Sequence, residues 1–280
     1  MAQHKNPLVR GLFWFIVVLI FFYTMFPFYW TLNSSLKTEA ELLQTPATFF
    51  PQNPTLQNYR AVFNNEDFLN GLKNSLIVSI STVLVSLVIG SFAAYALGKL
   101  RFRGKGVWLY LILAMTMFPQ ISILSSLYTI IKNLQLNATL GMVLSYMIFT
   151  LPFTVWVLTS FFKALPDELL QAAEVDGATP FEGFYKVLLP LTAPAMVTTG
   201  LLAFISAWNE YLFALTFTSI QPSARTVPVA IALFTGEVAR QEPFGEIMAA
   251  AVVVTIPLIA LVLVFQRRIV EGLTAGAVKG

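Results

Sequence analysis

Asn74-Ser-Leu-Ile-Val-Ser-Ile-Ser-Thr-Val-Leu-Val-Ser-Leu-Val-Ile-Gly90-Ser-Phe-Ala-Ala-Tyr-Ala-Leu-Gly98 carries no charged side chain from its first residue to its last. A helix rising 1.5 Å per residue needs about 20 apolar residues to cross a hydrocarbon layer of about 30 Å, and this stretch exceeds that length. Five further uncharged windows repeat it: Gly11–Leu36, Gly106–Ile131, Asn133–Phe162, Val187–Asn209 and Ile247–Gln266. All are too long for strands, and an open sheet edge finds no hydrogen-bond partners in lipid. The sequence therefore reads as an all-α membrane protein with six transmembrane helices in one domain, 1–280. Composition agrees, because 57% of the 280 residues are hydrophobic and only 11% are charged, too few to coat a soluble domain. Lys5 and Arg10 precede the first window as in a signal peptide, but the apolar run is too long and no small-residue cleavage site follows Trp30.

The basic residues predict an orientation. With the N-terminus inside, eleven Lys and Arg fall on the inner side and six on the outer side, with the densest cluster at Lys99, Arg101, Arg103 and Lys105. That asymmetry places both termini in the cytoplasm. A net charge of +3 is too small for a nucleic-acid footprint, and no Cys with one histidine, His4, excludes thiol chemistry and any Cys/His metal site. A Gly-x-x-x-x-Gly-Lys-Ser/Thr phosphate loop is also missing. Its nearest imitation, Gly98 to Gly106, is one residue too long and has Gly106 where Ser or Thr would hold magnesium. No catalytic constellation, cofactor site or metal site is expected.

Two loops are longer than a simple bundle needs. The outer loop 37–73 contains Pro46, Pro51 and Pro54, which predict extended or turn structure. On the inner side, between the fourth and fifth spans, the loop 163–188 and its continuation read Lys163-Ala-Leu-Pro166-Asp-Glu-Leu-Leu-Gln-Ala-Ala-Glu-Val-Asp-Gly177-Ala-Thr-Pro180-Phe-Glu-Gly-Phe-Tyr-Lys-Val-Leu-Leu-Pro190. Pro166, Asp167 and Glu168 predict a helix start, with acids at the positive end of the dipole. Gly177 predicts its end, at a positive φ. Thr179, Pro180 and Glu182 spell a capping box for a second short helix, which presents Phe181, Phe184, Val187 and Leu188 and stops at Pro190. An amphipathic elbow lying in lipid would be rich in Lys and Arg. Here Asp167, Glu168, Glu174 and Asp176 favour a helix-turn-helix that docks on another protein, with the small residues Ala172 and Ala173 at the contact.

Gln171-Ala-Ala-Glu-Val-Asp-Gly-Ala178, followed by Leu189-Pro190, resembles the cytoplasmic coupling motif of binding-protein-dependent ABC importers, with Gln171 in place of the usual glutamate. Trp208-Asn-Glu210 and the end Gly272-Leu-Thr-Ala-Gly-Ala-Val-Lys-Gly280 are similar to the carbohydrate-uptake branch, and most closely to the second permease of maltose- and trehalose-type systems. The family-like core covers about 70–268, with a tail at 269–280. The resemblance implies a bacterial or archaeal cytoplasmic membrane protein that imports a di- or oligosaccharide such as maltose or trehalose. It further implies a second, homologous permease, two copies of an ABC ATPase that uses ATP and Mg, and an extracellular or periplasmic sugar-binding protein. In it, Gln171, Ala172, Ala173, Glu174, Asp176, Gly177, Ala178, Phe184, Leu189 and Pro190 would couple to the ATPase. Ala232, Leu233, Phe234, Thr235 and Gly236 would reach the binding protein, with a surface turn as the alternative.

Asn209 and Glu210 are candidates for the solute path or a subunit contact, since ionisable groups at membrane depth usually face a cavity or partner. The other reading puts Glu210 at the outer interface with Trp208 as an aromatic anchor. Pro119 reads as a kink in the third span rather than an opening beside a cavity. The small residues of Gly272–Gly280 read as a disordered tail unless the ATPase holds them. An ion-coupled secondary transporter is the rival class, but it would need ion-binding acids and matching broken helices in two halves. Among the acids only Glu210 lies in an apolar stretch.

Overall fold

The computed structural model describes residues 7–234 and 243–277. No strand occurs among the described residues. Four helices are long and apolar enough to cross a membrane unaided: Leu8–Ser35, Glu66–Gly98, Ala138–Ala164 and Phe244–Gln266. Two more candidates are bent pairs, Lys105–Met117 with Gln120–Asn133 at 98° and Pro180–Leu191 with Ala193–Trp208 at 73°; counting each pair as one span gives six.

The chain divides into two compact units. In the unit made of Met1–Phe68 and Leu233–Ile256, α1 (Pro7–Ser35) is followed by the short helices α2 (Glu39–Leu42) and α3 (Gln57–Asn64). The outer loop is therefore folded rather than merely extended. Its organiser is buried Glu41. The Glu41 carboxylate accepts from the Thr48 hydroxyl at 2.7 Å and from the backbone N–H groups of Gln52 and Asn53 at 2.9 and 3.4 Å. Burial pushes the Glu41 pKa up, but these donors and nearby Lys37 hold it below the usual carboxylate value. Asn58 donates to the Ser35 and Lys37 carbonyls at 2.9 Å each, closing the loop on the end of α1.

The second unit, Leu69–Ala232 with Pro257–Gly280, is built around α4 (Glu66–Gly98) and α7 (Ala138–Ala164). Helix α4 starts well before the uncharged window, because Glu66 and Asp67 suit the positive end of a helix dipole. Its buried face is small and hydroxylic: Ser75, Ser79, Thr82, Ser86 and Ala94 recur at helical spacing. Leu76, Ile77, Ile80, Leu84 and Val88 are exposed on other faces. Such inversion suits lipid, where close backbone approach and hydroxyl bonds hold helices together. Ser86 bonds the Thr150 hydroxyl at 2.8 Å, and a Cβ on Gly90 would stand 2.7 Å from Thr154 Cγ2.

Two broken spans correct the sequence reading. In the third window α5 (Lys105–Ala114) runs into a 3-10 turn, Met115–Met117, and α6 (Gln120–Asn133) starts afresh. Pro119 disfavours helical backbone at the preceding residue, and Phe118 is extended at φ −73° and ψ 128°. The result is a break, not a kink. Ahead of the fifth window α8 (Glu168–Val175) and α9 (Pro180–Glu182) lead into a π-helical turn at Gly183–Leu188, which enters the window and is followed by α10 (Leu189–Leu191). The second half of the inner loop thus runs to Leu191 rather than stopping at Pro190. A proline clashes with the carbonyl four residues back, here that of Lys186, and the wider π turn accommodates it. Then follow α11 (Ala193–Trp208), α12 (Leu212–Thr218), α13 (Val227–Ala232) and α14 (Phe244–Ala277). Because α14 runs through Gly272 to Ala277, most of the tail continues a helix and is not coil; adding a residue to an existing helix is far cheaper than nucleating one.

Candidate functional site

The inner-face loop is a helix-turn-helix. Helix α8 closes in a Schellman turn: the Gly177 N–H donates to Glu174 O at 3.0 Å and the Ala178 N–H to Ala173 O at 2.9 Å. Gly177 has φ +83°, and nothing lies within 4 Å of a Cβ placed there. Backbone conformation, not space, therefore demands glycine.

Thr179 then caps α9 in a complete capping box. The Thr179 N–H donates to Glu182 Oε2 at 2.9 Å, and Lys186 Nζ donates to Glu182 Oε1 at 2.7 Å. Lys186 first, then Thr179, holds the Glu182 carboxyl down at about 2. A depressed carboxylate contributes stability that is present above its unfolded value near 4.5 and lost as the pH falls toward 2. Glu182→Gln is expected to reproduce at neutral pH the loosening that acid causes, measured as faster amide exchange across 179–186.

Phe184 anchors this second half. It is 3% exposed, with its ring centroid 4.8 Å from Tyr95, 5.1 Å from Phe92 and 6.1 Å from Phe162. Leu188, Ala94, Leu158 and Ala195 complete the buried cluster. At the loop entrance Lys99 Nζ donates to the Leu165 carbonyl and to Asp167 Oδ1, each at 2.5 Å. Hydrogen bonding and charge from Lys99 hold the Asp167 pKa below the usual carboxylate range, burial opposing and Arg101 and Lys105 assisting.

The coupling candidates fall on two sides. Gln171, Ala172, Glu174, Asp176, Gly177 and Pro190 are exposed, whereas Ala173 and Phe184 are buried in this chain's own fold; Ala178 and Leu189 are half-buried. The paired alanines therefore do not form one contact face, since Ala173 packs inward and Ala172 outward. Val175, which sequence reasoning passed over, is 88% exposed between Glu174 and Asp176. The loop thus offers a partner an apolar knob with an acidic rim. An apolar residue flanked by acids just before the turn glycine was the signal available for it.

The outer candidates behave differently. Glu210 lies past the end of α11, and its carboxylate accepts from the N–H groups of Phe213 and Ala214 at 2.8 and 3.0 Å. It caps α12. Asn209 Nδ2 donates to the Ile205 carbonyl at 2.8 Å. Trp208 is not an interfacial anchor: it is 1% exposed and stacked on Phe204 at 5.5 Å. Glu210→Ala is expected to cost about 1 kcal/mol of stability, as loss of a helix cap does. Glu210→Gln, which keeps an acceptor oxygen, is expected to cost less; unchanged uptake in a stable Gln variant would leave Glu210 as a cap alone, and loss of uptake would assign it to the path. Ala232 ends α13 and is exposed with Leu233, and Phe234 is half-buried, while Thr235 and Gly236 lie outside the described residues.

Residues 86–274 match the family model described as binding-protein-dependent transport system inner membrane component. The trehalose transport system permease protein SugB of Mycobacterium tuberculosis is 42% identical over 97% of this chain and 98% of its own length. The trehalose/maltose transport system permease protein MalG of Thermococcus litoralis is 42% identical over 91% of this chain and 92% of its own. The sulfoquinovosyl glycerol transport system permease protein SmoH of Agrobacterium fabrum is 42% identical over 91% and 89%. In fold, a chain in the crystal structure of a bacterial ABC transporter involved in the import of the acidic polysaccharide alginate superposes with a TM-score of 0.83, covering 95% of this chain and 98% of that one at 21% identity.

Proposed function

This chain belongs to the family of binding-protein-dependent transport system inner membrane components, and from that membership we propose that it is one permease subunit of an ATP-driven sugar importer. The observation that carries the substrate class is the set of near-full-length relatives at 42% identity, whose named cargoes are trehalose, trehalose and maltose, and sulfoquinovosyl glycerol. All three are glycosides. The cargo proposed here is a small glycoside, with a disaccharide such as trehalose or maltose first.

The partners proposed are a second, homologous permease, two ATPase subunits beneath the pair, and a sugar-binding protein outside. The ATPases use ATP and Mg, and this chain binds neither. Both termini face the cytoplasm, which puts Val175 and its acidic rim where an ATPase can receive them. The broken third span supports pairing. At the break Met117, the last residue of the 3-10 turn, and extended Phe118 are 83% and 62% exposed on this chain, and lipid cannot satisfy irregular backbone at membrane depth. A second permease or a wet path between the two would cover them.

In the mechanism, ATP binding and hydrolysis bias a bistable assembly between inward- and outward-facing states, and the loop from Glu168 to Leu191 carries that bias into the membrane. Proteoliposomes holding the full complex and internal ATP, with binding protein and labelled trehalose or maltose outside, test the reading. Uptake that needs ATP and binding protein supports it. Accumulation driven by a proton or sodium gradient without ATP would contradict it.

A further inference from the structure

Helix α4 is bonded near one end to the segment leading into the candidate binding-protein contact and at the other to the loop that the proposed function gives to the ATPase. Near its outer end Asn74 Nδ2 donates to the Ser223 carbonyl at 2.8 Å and to the Arg225 carbonyl at 2.9 Å. One residue on, buried Ser75 Oγ accepts from the Val227 N–H at 2.8 Å. Val227 is the first residue of α13, and a Cβ on Gly71 would lie 3.2 Å from its Cα. The outer segment Pro222–Ala232, which leads directly into the candidate binding-protein contact at Leu233 and Phe234, is therefore seated on α4.

At the inner end Lys99 is the counterpart. Its side chain is 4% exposed, unusual for lysine, and its ammonium holds the Leu165 carbonyl and the Asp167 carboxylate that bracket the entrance to the coupling loop. Phe92 and Tyr95, on the last turns of α4, pack on Phe184 in the loop's second half. Between the two latches α4 is uninterrupted and contains no proline. From Asn74 to Gly98, next to Lys99, it spans about 36 Å at 1.5 Å per residue, more than the hydrocarbon layer.

We propose that α4 is a rod that makes the outer segment and the coupling loop move together, with Asn74 and Ser75 as its outer positioning residues and Lys99 as its inner one. The internal N–H groups of an α-helix are already bonded, and α4 has no break or proline at which to kink, so displacement at one latch is carried toward the other. Other routes from the loop to the outer side are interrupted: the fifth span bends by 73°, and α7, whose Ala138 N–H donates to Gln221 Oε1 at 3.3 Å, carries Pro152. This inference rests on the importer reading above and adds the route by which outside and inside communicate.

The test uses the complete reconstituted complex and compares Asn74→Leu, Lys99→Met and the double variant. Basal ATPase rate, ATPase rate with sugar-loaded binding protein, and melting temperature are measured for each. Each single variant is expected to keep its basal rate and lose stimulation at least fivefold, the scale of one coupling free energy. Because the latches act in series, the double variant is expected to fall no further. Stimulation retained in either single variant overturns the rod, and so does a double variant whose loss is the product of the two single losses. Should a variant fail to assemble, Ser75→Ala and Asp167→Ala each delete one bond of the same latches, and a smaller loss of stimulation in the same pattern is expected; no loss in either overturns the rod. A wild-type complex that binding protein does not stimulate would instead sink the importer reading itself.

Discussion

Gly177→Pro is expected to abolish ATP-driven uptake while leaving the membrane bundle folded. The turn requires φ +83°, and proline is fixed near −65°. The substitution also removes the N–H that donates to Glu174 O. Backbone incompatibility of this kind costs on the order of 3 kcal/mol, enough to melt a loop whose first helix spans only Glu168–Val175. Gly177→Asn separates conformation from side chain, because asparagine visits the left-handed region with little penalty. The Asn variant is expected to retain most of the uptake, and the Pro variant to fall below a tenth of wild type. Equal loss in both would mean that the partner needs the bare glycine surface, not the turn.

Phe184→Ala is the second large effect. The ring is almost wholly buried among Phe92, Tyr95 and Phe162, and truncating a core phenylalanine costs about 3–5 kcal/mol. The loss falls on the seat that fixes the loop's second half against α4 and α7. Co-purification of the ATPase with the complex is expected to drop sharply, while Phe181→Ala, which removes a ring already 59% exposed, has a much smaller effect. If Phe184→Ala complexes retained full ATPase content and stimulation, the loop would be seated by something other than this aromatic cluster.

Local chemistry was legible in the sequence, and contacts between distant residues were not. Gly177 and the Thr179–Glu182 capping box needed only neighbours within a few residues, so their backbone geometry followed from residue type. The uncharged windows likewise located the spans, because bilayer thickness sets a length that charge interrupts. Lys99 was read only as one of the positive charges of an inner loop. Its role depends on Asp167, 68 positions away. The Phe92–Tyr95–Phe184 seat is invisible for the same reason. Glu41 was passed over because a buried carboxylate facing backbone N–H groups 11 and 12 residues on looks, in one dimension, like any loop acid. Glu210 carries a second role that one dimension hides: an acid after an apolar run suggests a path residue, and the helix whose N–H groups it binds begins two residues later. Pro119 was underestimated because the sequence shows a lost donor but not that Phe118 leaves the helix altogether.

Thiol cross-linking from Val175 tests the central claim most directly. The chain contains no cysteine, so Val175→Cys introduces its single thiol, at the exposed tip of the coupling loop. In the assembled complex a short bifunctional reagent is expected to join this position to the ATPase subunit, with a yield that changes between nucleotide-free and ATP-bound states. A thiol that never cross-links to the ATPase in any nucleotide state, yet reacts freely with a water-soluble maleimide throughout, would contradict the coupling role of the loop.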